Sequence, residues 1–276
     1  MGVPPSSPVK QNSMLLKDLA DKGMISPPDY VIPGLQYLTL MGSHAYGVAT
    51  PESDKDVYGF TVPPRDVIYP HTAGIIRGFG DQGRRFDQWQ QHHIGEYDFQ
   101  VYNIVKYFQL LMDNNPNMLD SLYTAQDCIL YASPIANTVR DNRDIFLHKG
   151  CYHRFKGYAY SQMHKIRTKN PQGKRKEMVG RYGYDVKFAY HIVRLCNECE
   201  QILNTGTMDL RQNNEQLKAI RRGEWTIEKL ERWFDRQEEY LEECYQKSAL
   251  PHRPDEKKIK ALLLECLEDF HNEDSN

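Results

Sequence analysis

Apolar and polar positions change period partway along the chain. Tyr37–Met41 and Asp56–Val62 are short runs rich in β-favouring side chains, and the first stops at Gly42-Ser43. Ile94–Tyr102 predicts a third strand, with weaker strand character at Phe86–Gln90. Before them, Ser13–Gly23 predicts a short helix bearing Leu15, Leu16 and Leu19, and Pro33-Gly34 turns the chain into the first strand. Beyond Asn103 the apolar spacing moves toward three and four. It predicts helices over Asn103–Asp113, Met118–Ala125, Ser133–Asn142 and Cys151–Thr168, then from Tyr182, over Arg211–Arg222, Ile227–Tyr245 and Glu256–Phe270. Thr226 and Asp255 are expected caps of the last two, and Asn115 or Asn117 of the helix at Met118. The fold expected is α/β: a small mixed β-sheet domain over 15–150, then an α-helical, substrate-binding bundle over 151–270. Residues 1–14 read as a disordered leader and 271–276 as a frayed tail.

Composition narrows this picture only a little. The chain has 276 residues, 40% hydrophobic and 26% charged, which suits a globular protein. A net charge of −2 means that any contact with a polyanion must be a local patch. No apolar run is long enough to span a bilayer, so a cytoplasmic location is expected, with the six cysteines reduced. Cys196 and Cys199 fall on the apolar stripe Ala189, Ile192, Cys196, Cys199, Leu203, so core packing is expected of them rather than zinc binding.

The candidate chemistry gathers between Leu35 and Val62. Asp54 and Asp56 lie two apart where the second strand begins, so they share a face. Two carboxylates on one face are costly unless a cation joins them, and Mg²⁺ suits such oxygen ligands. Gly42 allows a phosphate to approach the backbone, while the Ser43 hydroxyl and the N–H groups from His44 onward can donate to it. Positions 165–181 hold seven basic residues and one acid, Lys174 and Arg175 among them, broken by Asn170-Pro171-Gln172-Gly173. This basic loop is the expected place for a polyanion. On the helix that follows, Lys187, His191 and Arg194 are spaced i, i+4, i+7 on one face, suited to phosphate. His92-His93 is not expected to be a metal pair, because neighbours in a strand point opposite ways.

The order strand, Gly-Ser, spacer, Asp-x-Asp resembles the nucleotidyltransferase superfamily typified by DNA polymerase β. The strings Met-Gly-Ser-His-Ala-Tyr-Gly (41–47), Ser-Asp-Lys-Asp-Val-Tyr-Gly (53–59) and the segment marked by Asp185, Lys187, His191 and Arg194 look closer still to its bacterial and phage RNA-repair branch. The resemblance implies an enzyme that moves a nucleoside monophosphate from an NTP, ATP or CTP favoured, to an acceptor hydroxyl, releasing pyrophosphate. It implies two Mg²⁺ ions, with Mn²⁺ as a substitute, held by Asp54, Asp56 and a third carboxylate. Asp98 is the choice by position and Glu96 the alternative, both expected on one strand face. It implies an RNA acceptor, with a tRNA 3′ end as one candidate, and host cytoplasm if the gene is a phage's. An acidic residue after the Asn-Pro turn, Asp120, is also shared. Rival readings are nucleotidyl transfer to a protein side chain or a small molecule, and an inactive module that binds NTP or RNA.

Overall fold

A computed structural model describes residues 14–69 and 87–273. The expected leader up to residue 13, the Arg84-Arg85 pair, Phe86 and the last three residues lie outside it. In chain order the elements are α1 (Met14–Asp21), β1 (Leu35–Leu40), α2 (Gly42–Ala45), β2 (Lys55–Thr61), α3 (Arg65–Ile68), β3 (Gln88–Ile94), β4 (Tyr97–Asn103), α4 (Ile104–Met112), α5 (Pro116–Tyr123), β5 (Ile129–Ala132) and α6 (Pro134–Asp141). A helical half follows: α7 (Cys151–Thr168), α8 (Lys174–Tyr182), α9 (Val186–Thr205), α10 (Asn214–Arg221), α11 (Ile227–Lys247) and α12 (Glu256–Glu273). The five strands form one mixed sheet in the order β3-β4-β2-β1-β5. Only β2 and β4 run parallel; the other pairs are antiparallel.

Strand alternation sorts the side chains onto two cores. Leu38, Val57, Phe99 and Val101 point to the face covered by Leu16 and Leu19 of α1, Val67 of α3 and the turn residues Tyr30 and Val31. Tyr37, Phe60 and Tyr102 point to the other face, against Tyr107 of α4 and the helices beyond. This second core runs unbroken from the sheet to Ile259, Leu262 and Cys266 on α12. It crosses the boundary expected at residue 150 without a gap. The six cysteines are unpaired and buried, as expected of small apolar side chains.

Local signals account for most helix starts. Asn103, Asn115, Ser133, Asp185 and Thr226 each accept a hydrogen bond from a backbone N–H in the first turn of α4, α5, α6, α9 and α11. Asp255 does the same for α12 through Lys258 N. Asn115 rather than Asn117 is the cap of α5.

Four expectations are corrected. Ile94–Tyr102 is not one strand: it is the end of β3, a turn at Gly95-Glu96 and most of β4. Gly95 takes a φ of +61°, which a hairpin turn needs and a β-rich pattern hides. The four-residue β5 was not expected, since its residues carry no alternation of burial and it exists through pairing with β1. The basic run is mostly helical, with only 169–173 between α7 and α8 outside a helix. The frayed tail gives way to an α12 that continues to Glu273, with His271 buried.

One buried cluster joins the two halves. Arg194 of α9 is ion-paired with Asp120 of α5 and with Glu198 one turn on, at 2.9 Å to Oε2. The Tyr46 hydroxyl, just past α2, donates to Asp120 Oδ2 at 2.7 Å, and the guanidinium stacks over the Tyr46 ring at 4.5 Å. Burial pushes the carboxyl groups of Asp120 and Glu198 up, Glu198 far up, and Arg194 opposes that in both. One guanidinium faces two buried carboxyls, so folding favours the protonated form of this pair more than the unfolded chain does.

Replacing Arg194 with Ala leaves both acids without a cation, and urea unfolding should show a loss of about 3–5 kcal/mol. Glu198→Gln should stay within about 1 kcal/mol of wild type, since the amide keeps an oxygen to accept from Arg194 and Asp120 still pairs with the guanidinium. A carboxyl raised on folding contributes stability that is lost as pH rises from its ordinary value through its folded one. That slope should be present in wild type and flattened in Glu198→Gln. An Arg194→Ala protein as stable as wild type would mean that the cluster does not join the halves.

Candidate active site

The site is built where β1 ends. Met41 N bonds to Asp56 O at 2.7 Å, which fastens the end of β1 to the start of β2. Gly42 then adopts a φ of +58°. Any Cβ there would fall well inside contact distance of the Asp56 carboxylate. Glycine is therefore required twice, by the backbone conformation and by the acid packed against it. The single turn α2 follows, closed by Tyr46 N to Gly42 O at 3.2 Å and Val48 N to Ser43 O at 2.9 Å. Among the described residues the Ser43 hydroxyl has no hydrogen-bond partner. His44 is half-buried; its Nδ1 has no partner, and burial, helped by Lys55, lowers its pKa.

The acidic groups come together through strand register. Asp56 stands directly beside Asp98 in the parallel β2–β4 pair, and Asp54 precedes β2 on the exposed side. Burial raises the Asp56 carboxyl; Lys187 opposes this, Asp98 and Asp54 add to it, and His44 opposes it weakly. Asp98 is held by the His93 backbone N–H, which donates to Oδ1 at 2.7 Å. Among the described residues Asp56 has no ion-pair partner. An all-oxygen set with a surplus of negative charge fits a hard divalent cation. No three acid, His or Cys side chains of the described residues already converge as a metal cage. A cation at Asp54, Asp56 and Asp98 would complete its shell with substrate phosphate and water, as magnesium commonly does.

Glu96 is separated from this set. It sits in the β3–β4 turn and pairs with Lys55 at 2.7 Å, so it does not share a strand face with Asp98 as expected. His92 and His93 depart from strict alternation too. The register shifts between Gln91 and Ile94, His93 takes a φ of +60°, and both imidazole Nδ1 atoms lie within 4 Å of Asp98 Oδ1, at 3.6 and 3.9 Å.

Facing the acids is a cleft of about 430 Å³ lined by Met41, Gly42, Tyr46, Asp56, Tyr58, Asn117, His191 and Arg194. His191 lies near four cations, and burial with the charges of Arg194, Lys187, Arg175 and Arg221 drives its pKa well down. That surrounding favours the neutral imidazole. Lys187 is exposed, and its charge reaches Asp56. Arg194 lines the cleft but is neutralised by Asp120 and Glu198, so it is not the free phosphate ligand expected from helical spacing. Arg175 pairs instead with Asp185 at 2.9 Å and stacks on Phe188 at 4.5 Å. Lys174 opens α8, and its side chain lies outside the described ones. Asp120 acts through Arg194 and Tyr46 rather than by lining the cleft.

Sequence reasoning missed Tyr58, Tyr46 and Asn117. Tyr58 could have been found, since it lies two residues after Asp56 on the same strand face. Asn117 was hidden by the Asn-Pro turn, where Asn reads first as a cap. Tyr46 carried no local signal, because α9 and α5 bring its partners.

A family model described as the RNA repair pathway DNA polymerase beta family matches residues 30–265. An uncharacterized 38.9 kDa protein from the nrdC-mobD intergenic region of Enterobacteria phage T4 is 29% identical over 108 residues. That match covers 38% of this chain and 31% of the phage protein, so it spans less than a third of that relative. The crystal structure of a nucleotidyltransferase-like protein from Exiguobacterium sibiricum 255-15 aligns with 95% of this chain and 91% of its own, at 11% identity and a TM-score of 0.30. Among the described residues no helix is long and apolar enough to cross a membrane. With its model matched across residues 30–265 of 276, this chain belongs to the RNA repair pathway DNA polymerase beta family.

Proposed function

We propose that the protein transfers a nucleoside monophosphate from an NTP, ATP or CTP, to the 3′ hydroxyl of an RNA, releasing pyrophosphate. The observation that carries this reading is Asp56, in register with Asp98 across β2–β4, packed against Gly42 and lining the same cleft as His191. Family membership supports nucleotidyl transfer as the class of reaction. Asp54, Asp56 and Asp98 are the residues that would hold two Mg²⁺ ions, or Mn²⁺ in their place. When bound, such ions supply charge neutralisation at the triphosphate and make the acceptor hydroxyl more acidic.

The chain's own groups divide the remaining work. Backbone N–H groups at Gly42 and Ser43, with the free Ser43 hydroxyl, donate to the β- and γ-phosphates. Lys187 adds the mobile positive charge on the opposite wall. Neutral His191 donates one N–H to a phosphate oxygen and keeps its other nitrogen as an acceptor. Asp98, aimed by the His93 N–H, takes the proton of the attacking hydroxyl. The new bond joins that oxygen to the α-phosphorus, and the bond from the α-phosphorus to the pyrophosphate oxygen breaks. Positioning and electrostatics supply most of the acceleration.

Incubation with Mg²⁺, each labelled NTP and a pool of small RNAs tests the reading directly. Wild type should lengthen RNA, and Asp54→Ala/Asp56→Ala should not. Label on protein, or on no acceptor at all, would reject the RNA transferase reading. Asp98→Asn should lower kcat by about 10²- to 10⁴-fold, the range of a lost general base, while Glu96→Gln stays near wild type. The reverse ranking would move the third acidic role to Glu96. Gly42→Ala should cost about 10²-fold in kcat with an unchanged far-UV spectrum, because it displaces Asp56 and strains the turn.

A further inference from the structure

A second pocket lies on the helical half, formed where α7, the 169–173 segment, α8 and the start of α9 meet. It encloses about 370 Å³ and is lined by Lys165, Lys169, Arg175, Asp185 and Phe188, among others. Three cations gather over one buried aromatic ring. Arg175 lies 4.5 Å from the Phe188 centroid, Lys169 Nζ 5.6 Å and Lys165 Nζ 6.0 Å. The ring face attracts each cation, but the cations repel one another.

Cations outnumber carboxylates in this pocket. Lys55, Lys156, Arg154, Arg167, Lys218, Arg222, Lys247 and Lys258 all have a carboxylate within 4 Å. Among the described residues Lys165 and Lys169 have none. The one acid in the pocket, Asp185, is divided: one oxygen pairs with Arg175 at 2.9 Å and the other caps α9 through Lys187 N at 2.9 Å. The pocket thus has a charge of about +2 in a protein whose net charge is −2.

The pocket also adjoins the cleft. Phe188 and Lys187 are neighbours on the first turn of α9; Phe188 lines this pocket, and the charge of Lys187 reaches Asp56. Arg175 contributes to the positive field at His191, which lines the cleft.

We infer that the Lys165–Lys169–Arg175 pocket over Phe188 is a phosphate site, and that it holds a backbone phosphate of the acceptor RNA upstream of its reacting end. This deepens the function proposed above and rests on it for the identity of the acceptor. A planar guanidinium fixed by Asp185 and Phe188 sets the direction of the phosphate, and the two lysines supply the charge. The triphosphate of the NTP carries the same chemistry, so the test must separate the two sources.

Binding of a fluorescent single-stranded 12-mer RNA and of ATP is measured separately for wild type, Lys165→Gln/Lys169→Gln and Arg167→Gln. Arg167 is a cation of the same helix, paired with Glu231 and outside the pocket. RNA affinity should fall about tenfold or more in the double variant. Its log K against log salt slope should be shallower by about 1.4, or about 0.7 per cation lost. ATP affinity should hold within about twofold, and Arg167→Gln should resemble wild type in both assays. The lysines are at the surface and unpaired, so matching thermal melts should show the fold intact. Unchanged RNA affinity, a parallel loss of ATP affinity, or a wild type that binds no RNA would each overturn the inference. Lysine-dependent RNA binding without transfer by wild type would leave the pocket standing and reject the reaction.

Discussion

The buried ion cluster at Arg194 is the constraint on which the arrangement depends. A guanidinium taken out of water is tolerated only with acids around it, and here they come from two helices. Asp120 reaches it from α5, in the half that carries the sheet, and Glu198 from α9 itself. Tyr46 ties the same cluster to the turn that begins at Gly42. Three segments far apart in the chain are thereby held at one point, directly behind the cleft. Moving any one of them would strand a charge or a hydroxyl without a partner.

That arrangement explains how acids and bases can face each other without cancelling. The network neutralises Arg194 through Asp120 and Glu198, so it holds the back wall of the cleft rather than pairing with the acids of the sheet. Asp56 and Asp98 are left beside each other with no Lys or Arg ion pair among the described residues. Lys187 acts on Asp56 from the rim, and neutral His191 adds hydrogen-bonding capacity without charge. The result is a cleft with a negative floor, suited to a cation, and a wall that can accept a polyanion. The Phe188 pocket extends the positive surface along the helical half, where Lys165 and Lys169 have no carboxylate partner among the described residues.

Much of this was legible before any coordinates. Gly42, Ser43, Asp54 and Asp56 could be singled out because their chemistry is local. A strand end, a positive-φ glycine and an i, i+2 pair of acids all leave marks within twenty residues. The helix caps at Asn115, Thr226 and Asp255 were equally readable, since each is a side chain meeting its own backbone. Where the reading went astray, the deciding contact was distant. Lys187 and Arg194 share a helix face in the sequence pattern, yet one is exposed and the other buried between acids. Helical spacing says which residues are neighbours, not what stands opposite them.

The sequence by itself determined the first two strands, most of the helices, the composition of the acidic turn and the family motif. Those follow from backbone conformation and short-range periodicity, which are written residue by residue. Only the tertiary structure decided that Asp98 rather than Glu96 stands beside Asp56. That choice depends on a hairpin turn at Gly95 and on the register of a parallel pair whose strands are joined through a long excursion. A one-residue slip would exchange the faces, and nothing within either strand forbids it. Only packing of both strands against two cores selects the register, because burying Val57, Phe99 and Val101 on one side leaves Asp56 and Asp98 on the other.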